Sequence, residues 1–353
     1  MAERRAFINA LAGAVPGHDV HRLFIDWAEA QVADPRLRKL FLRMAERSGI
    51  EHRWSVLPEP ADGGRPDFYT DGPSPPTSAR MGVYEQAAPE LALGAIENLR
   101  ERTPLDGITH LVVASCTGFV APGIDQIIAR RLGLGDVERT LVGFMGCYAA
   151  VSALRTAYHI VRSEPAARVL AVTVELSSLH LQETQQLESL LAMLQFSDGA
   201  AAALVTSEPA GFEMSRLFSL ELEDSAELIQ WKVGDTGFEM ILSGEVPGRI
   251  QHGLQAERVR STLFDGRSPD EIDSWAVHAG GRSILDAVEK GLELPQGALF
   301  ASREVLRRFG NMSSATLMFV LSGLMGRPDV RRGVALAFGP GLAAEGFHFE
   351  RAG

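Results

Sequence analysis

Short runs of β-branched and small apolar residues alternate along the chain with longer stretches whose apolar positions recur at helical spacing. That alternation predicts a layered α/β protein. Helical spacing covers 36–48 after Asp34-Pro35, then 84–102, 124–132, 147–162, 283–291, 302–309 and Ala315–Met325. Strands are expected at His110–Ser115, 140–145, 168–175, 200–205, Phe212–Glu221, Ser274–Val277 and 334–337, with a polar segment running on to Gly237. The strongest break is 207–211, Ser-Glu-Pro-Ala-Gly, which divides the pattern into two α/β halves, 1–208 and 209–353.

The chain has 353 residues, enough for two domains or two fused halves at about 150 residues each. A 46% apolar and 22% charged composition excludes a disordered or disulfide-built chain. The net charge of -11 disfavours nucleic acid or an anionic membrane surface as partners. An anionic ligand would need the one local basic cluster, Arg36, Arg38, Lys39, Arg43, Arg47 and Arg53. Two cysteines cannot make a zinc site alone, so no metal is expected and free thiols in a reducing compartment fit better. Arg4 and Arg5 precede an apolar stretch at 6–15, the outline of a short signal peptide, but Asn9 and Gly13 interrupt it. The expected location is cytoplasmic.

Cys147 follows a predicted strand and opens a predicted helix, where backbone amides favour a thiolate and would lower its pKa. Gly146 permits a tight turn that would present the sulfur to a cavity. A small apolar filler is the plainer alternative for either cysteine. Cys116 also ends a strand, but Pro122-Gly123 separates it from the next helix, so it is the weaker nucleophile and the better pocket-lining residue. Among nine histidines, His278 ends an apolar strand before two glycines, a place where α/β sheets put functional side chains. Asn311 lies in a loop between two apolar helices, as a turn-forming residue or as an amide donor to a carbonyl.

Taken together, Gly146-Cys-Tyr148, His278-Ala-Gly-Gly281, Gly310-Asn-Met-Ser-Ser314 and Phe338-Gly-Pro-Gly341 resemble the type III polyketide synthases, the chalcone synthase family. The resemblance runs along most of the chain. It implies a thiolase-like α/β fold, two related halves forming αβαβα layers, in a homodimer. It also implies a catalytic Cys147, His278 and Asn311, no cofactor, and malonyl-CoA with an acyl-CoA starter as substrates. Phe196 matches a gatekeeper phenylalanine, and the second gatekeeper position falls on Met240 or Phe238. Cys116, His180, Gly339, Pro340 and Gly341 match pocket positions, and Arg43 and Arg47, with Lys39 beside them, match CoA-phosphate contacts. Ala279, Ala337 and His180 depart from the family pattern, which implies a cavity unlike that of chalcone synthase. Two other readings are an initiating ketoacyl-ACP synthase and a non-catalytic thiolase-fold subunit.

Overall fold

The computed structural model describes residues 4–58, 67–69, 74–223 and 225–353. The period-2 alternation of strands decides its layers. In Val169–Leu176, Val169 and Ala171 face an apolar cluster built on the helices Ala149–Ser163 and Ala315–Met325. Leu170, Val172, Val174 and Leu176 face the other way, onto the helix Thr77–Arg100. His110–Ser115 divides in the same manner, Val112 and Ala114 inward and Leu111 and Val113 outward.

The C-terminal half repeats the scheme. In Arg332–Phe338, Ala335 and Ala337 join the central cluster, and Val334, Leu336 and Phe338 pack on the helices Val246–Gln255 and Arg282–Gly291. Two helices therefore lie between the inner faces of the strands, with helices on both outer faces: the αβαβα arrangement expected. Ala149, Ala150, Ala153 and Ala157 let the first central helix approach its neighbours closely.

Among the described residues the main sheet has nine strands. Its order is Ser274–Val277, Arg332–Phe338, Ala343–Arg351, Phe212–Glu221, Ala6–Ala14, Asp198–Thr206, Val169–Leu176, His110–Ser115, Glu138–Gly143. Ala6–Ala14 pairs antiparallel with Asp198–Thr206 on one side and Phe212–Glu221 on the other. The stretch with a leader-like outline is thus part of the folded core. It gives no alternation to read because both its faces are buried, and its pairing with Asp198–Thr206 shifts register between Ile8 and Ala10.

Other differences are local. The polar segment ending at Gly237 contains a strand, Ile229–Gly234, paired with Gly237–Leu242 in a hairpin that sets Trp231 opposite Met240. The helix expected from Cys147 begins at Ala149, and Cys147 sits in a single 3-10 turn, Gly146–Tyr148. Helix Pro35–Glu46 starts where Asp34 accepts the backbone N–H groups of Arg36 and Leu37.

Gly211, at φ 77°, closes the turn that joins the two halves, and a Cβ there would run into the Ile8 carbonyl and the Asn9 backbone. Gly211→Ala is expected to cost about 2 kcal/mol or more of stability. A denaturant midpoint that does not fall would contradict this packing.

The parallel strands Glu138–Gly143, His110–Ser115 and Val169–Leu176 share one direction, as do Ser274–Val277 and Arg332–Phe338. Their C-terminal ends lead into Cys116, Cys147, His180, His278 and Gly339. Loops beyond such strand ends are where open α/β sheets place their sites.

Candidate active site

Cys147 is presented by a turn that only glycine allows. Gly146 takes φ 75°, and a Cβ on it would strike the Pro340 ring from the opposite half. Gly339 has the same reason on its side, because a Cβ there would meet the Tyr148 ring. Gly339, Pro340 and Gly341 therefore press the C-terminal half against the Cys147 turn, and Pro340 itself lines the space beside Cys147.

His278 is anchored by its own amide, which donates to the Leu336 carbonyl at 2.8 Å. Its ring is buried, and neither ring nitrogen has a hydrogen-bond partner. Asn311 joins the pieces. Its side-chain Nδ2 donates to the Gly280 carbonyl of the histidine loop at 3.2 Å, and its Oδ1 accepts the Ser313 amide at 2.9 Å. Its amide donates to the Gln195 carbonyl at 2.8 Å, and its carbonyl accepts from the Ser197 amide at 2.9 Å, fixing it beside Phe196. Asn311 thus forms the turn the plainer reading suggested and still offers its amide to the sulfur of Cys147.

The electrostatics correct one expectation. Burial pushes the Cys147 thiol up to about 12, opposite to the lowering expected from a helix N-terminus. The cysteine precedes the helix in a 3-10 turn, and the nearby Glu175 carboxyl adds to the rise. Hydrogen bonds from Ser313 and Asn311 to the sulfur act the other way and do not offset it. Burial alone holds His278 down to about 3. Each group is disfavoured as a lone ion.

Glu175 is raised to about 7 by burial, although three donors reach it: the Cys116 amide at 3.0 Å, the Thr117 hydroxyl at 2.9 Å, and the Ser314 hydroxyl. It ties the end of the first half's strands to the Asn311 loop. Cys116 is buried, accepts the Gly146 amide on its sulfur at 2.9 Å and lines the Cys147 space. Burial raises its thiol well above the ordinary value.

Two cavities meet here. The one at Cys147 is small, about 20 Å³, and includes Cys116, Ser313 and Pro340 in its wall. A second, of about 620 Å³, extends away between the helices His21–Gln31 and Leu187–Met193. Ser177, Phe196, Trp231 and Met240 line both and form the partition. Phe238 lines only the large one and stacks on His180 at 4.2 Å. His180 is buried, donates from Nε2 to the Thr117 carbonyl at 2.8 Å and accepts the Phe238 amide on Nδ1 at 3.0 Å.

Lys39, Arg43 and Arg47 are exposed along helix Pro35–Glu46 and its C-cap. Arg282 donates to the Arg47 carbonyl at 3.0 Å, which brings this basic face next to the histidine loop. Arg53 does not belong to it. It is buried with its guanidinium 4.4 Å above the Phe24 ring, and it donates to the Met193 and Phe196 carbonyls at 3.1 and 2.8 Å. It braces the partition rather than the surface.

Three neighbours of the site were not anticipated. Glu175 carried a signal, a carboxylate ending an otherwise apolar strand. Ser313 stands at φ 47°, an unusual backbone for serine that its sequence does not announce. Trp231 depends on a hairpin read as polar connector.

Residues 1–209 match the chalcone and stilbene synthase N-terminal domain and residues 218–351 the C-terminal domain of the same family. A mycobacterial relative, the "Alpha-pyrone synthesis polyketide synthase-like Pks18" of Mycobacterium tuberculosis, is 33% identical over 98% of this chain and 91% of its own. The 1,3,6,8-tetrahydroxynaphthalene synthase of Streptomyces peucetius is 32% identical, over 97% and 92%. Among solved structures, the polyketide synthase PKS-I of the brown alga Ectocarpus siliculosus superposes with a TM-score of 0.90 at 27% identity, covering 98% of both chains. With family domains matched over nearly its whole length and relatives of this similarity, the chain belongs to the chalcone and stilbene synthase family and is a type III polyketide synthase.

Proposed function

We propose that Cys147, His278 and Asn311 carry the iterative condensation of malonyl-CoA onto an acyl-CoA starter. The observation that supports this most is a free thiol, a buried imidazole with no partner and an amide tied to the loops of both, drawn from three separate chain segments. An imidazole buried without a hydrogen bond costs free energy unless a ligand completes it.

In this reading the thiol gives its proton to His278 as the sulfur attacks the starter thioester, and CoA leaves as the thiol. The two groups, each disfavoured as a single ion, form opposite charges together, and their attraction is strong where water is excluded. Malonyl-CoA then binds with its thioester carbonyl facing His278 and Asn311. Loss of carbon dioxide places charge on that oxygen, where the two donors stabilise it. The resulting carbanion equivalent attacks the acyl-cysteine carbonyl, the sulfur leaves, and the chain gains two carbons. Repetition and cyclisation yield a pyrone or phenolic product. Phe196 and Met240 form the gate at the partition, the position supported by Met240 lining both cavities. CoA thioesters serve as substrates with no separate cofactor, the working unit is a homodimer, and two free thiols suit a cytoplasmic location. No described helix is long and apolar enough to cross a membrane.

CoA carries its phosphates to Arg43 and Arg47, with Lys39 on the same face. Reversing both arginines, Arg43→Glu with Arg47→Glu, is expected to raise the KM for malonyl-CoA roughly tenfold with little change in kcat, since each exposed pair contributes up to about 1 kcal/mol. The difference should shrink as salt is added. A KM that does not move would remove the phosphate role from this face. The mechanism itself is tested by intact mass: protein incubated with acyl-CoA should gain one acyl group on Cys147, and absence of that adduct would overturn it.

A further inference from the structure

Helix Pro35–Glu46 packs one face and presents the other to solvent. Phe41 and Ala45 enter a small apolar cluster with Phe24, Ile25 and Leu190, which fixes the underside. On the outside, Arg36, Leu40, Arg43 and Arg47 follow one another at steps of three or four residues and form a single stripe, with Lys39 along one edge. Leu37 and Met44, seven residues apart, run along the other edge and are 41% and 43% exposed. From Arg36 to Arg47 the stripe is about 16 Å long, at about 1.5 Å per residue.

The cations of this stripe are unpaired. Arg22, Arg131, Arg216, Arg307 and Arg327, exposed elsewhere, each hold a carboxylate. Among the described residues Arg36, Lys39, Arg43 and Arg47 form no ion pair, although acidic side chains outnumber basic ones 45 to 34. The phosphates of CoA would engage Arg43 and Arg47, but they need neither Arg36 at the far end nor an aliphatic edge. A protein surface that sets carboxylates beside apolar side chains matches both. The stripe ends beside the histidine loop, where Arg282 donates to the Arg47 carbonyl at 3.0 Å. In that loop a Cβ on Gly281 would lie 3.1 Å from Gln195 Oε1, an acceptor that is buried without a partner. An amide N–H of a pantetheine arm would satisfy it.

We propose that this face docks an acidic carrier protein, which delivers the starter acyl group on a phosphopantetheine arm. The inference rests on the polyketide synthase reading and adds a second acyl donor for its first step. The acyl carbon leaves the pantetheine sulfur and bonds to the sulfur of Cys147, and the Cys147 proton passes through His278 to the departing pantetheine thiolate. Extension still draws on malonyl-CoA. An anionic membrane fits this face less well, because the packed underside leaves only Leu37, Leu40 and Met44 to enter it.

The test follows acyl transfer onto Cys147 by intact mass from three donors: the hexanoyl thioester of a bacterial acyl carrier protein, hexanoyl-pantetheine and hexanoyl-CoA. The carrier thioester should react at least about tenfold faster than hexanoyl-pantetheine at equal concentration, and the gain should shrink as salt is added. Leu37→Ser with Met44→Ser, checked by its melting curve, should lose about tenfold with the carrier and stay within about twofold of the parent with hexanoyl-CoA. Arg36→Glu, which leaves the aliphatic edge intact, should slow the carrier reaction several-fold and spare hexanoyl-CoA. A carrier thioester no faster than hexanoyl-pantetheine, or a serine variant that loses the carrier and CoA reactions equally, would overturn the docking assignment and leave the synthase reading standing. Sedimentation with phosphatidylglycerol vesicles in place of carrier transfer, abolished in the serine variant, would give the face to a membrane and overturn it too. No adduct from any of the three donors would overturn both readings.

Discussion

Cys147→Ala is expected to lower condensation by at least about 10³-fold and to leave no acyl group on the protein after incubation with an acyl-CoA. The side chain is half-buried, and its replacement by alanine removes one sulfur without filling or straining the site, so the melting curve should stay close to that of the parent. Cys116 supplies the contrast. Its sulfur accepts the Gly146 amide and is fully buried, which fits a support for the Cys147 turn rather than a second nucleophile. An acyl adduct that survives Cys147→Ala and disappears with Cys116→Ala would reverse the two roles.

The second large effect concerns His278. Burial pushes the Cys147 thiol up to about 12 and holds the imidazole down to about 3, so neither ionises readily by itself at neutral pH. Transfer of the proton from sulfur to imidazole is the route to a reactive thiolate, and it exists only while the imidazole is present. In the parent protein, alkylation of Cys147 by iodoacetamide should proceed near neutral pH. In His278→Ala the thiol must lose its proton to solvent, and its thiolate fraction grows only as pH rises towards about 12. The alkylation profile should therefore shift to higher pH, and the rate at pH 7 should fall by about 10²-fold or more. Condensation should fall further, because the variant also loses a donor to the decarboxylation transition state. An unchanged profile in His278→Ala would show that the imidazole does not take the proton.

Elements whose signals are local were legible in the chain. His110–Ser115, Phe212–Glu221, Ser274–Val277 and Ala315–Met325 fall where apolar pattern and flanking glycine or polar residues place them. Cys147, His278 and Asn311 could be singled out because each follows a strand or helix end next to glycine, where a side chain can reach a cavity. What could not be read depends on distant partners. Ala6–Ala14 lies between strands some two hundred residues away, and its buried faces erase the alternation that marks a strand. The hairpin carrying Trp231 and Met240 keeps polar residues on its open face and so resembles a connector. Arg53 looked like part of a basic surface until Phe24 and the Phe196 carbonyl claimed it. The direction of the Cys147 shift turned on burial by the opposite half of the chain, which spacing along the sequence does not encode.

Products formed from malonyl-CoA and an acyl-CoA starter, measured by mass spectrometry with Cys147→Ala as the control, test the central claim most directly. The account predicts products that contain two or more malonyl-derived units and are absent from the variant. Products extended by a single unit, or extension that requires malonyl-ACP, would place the chain with the initiating ketoacyl synthases instead. Condensation that persists in Cys147→Ala would contradict the account at its nucleophile.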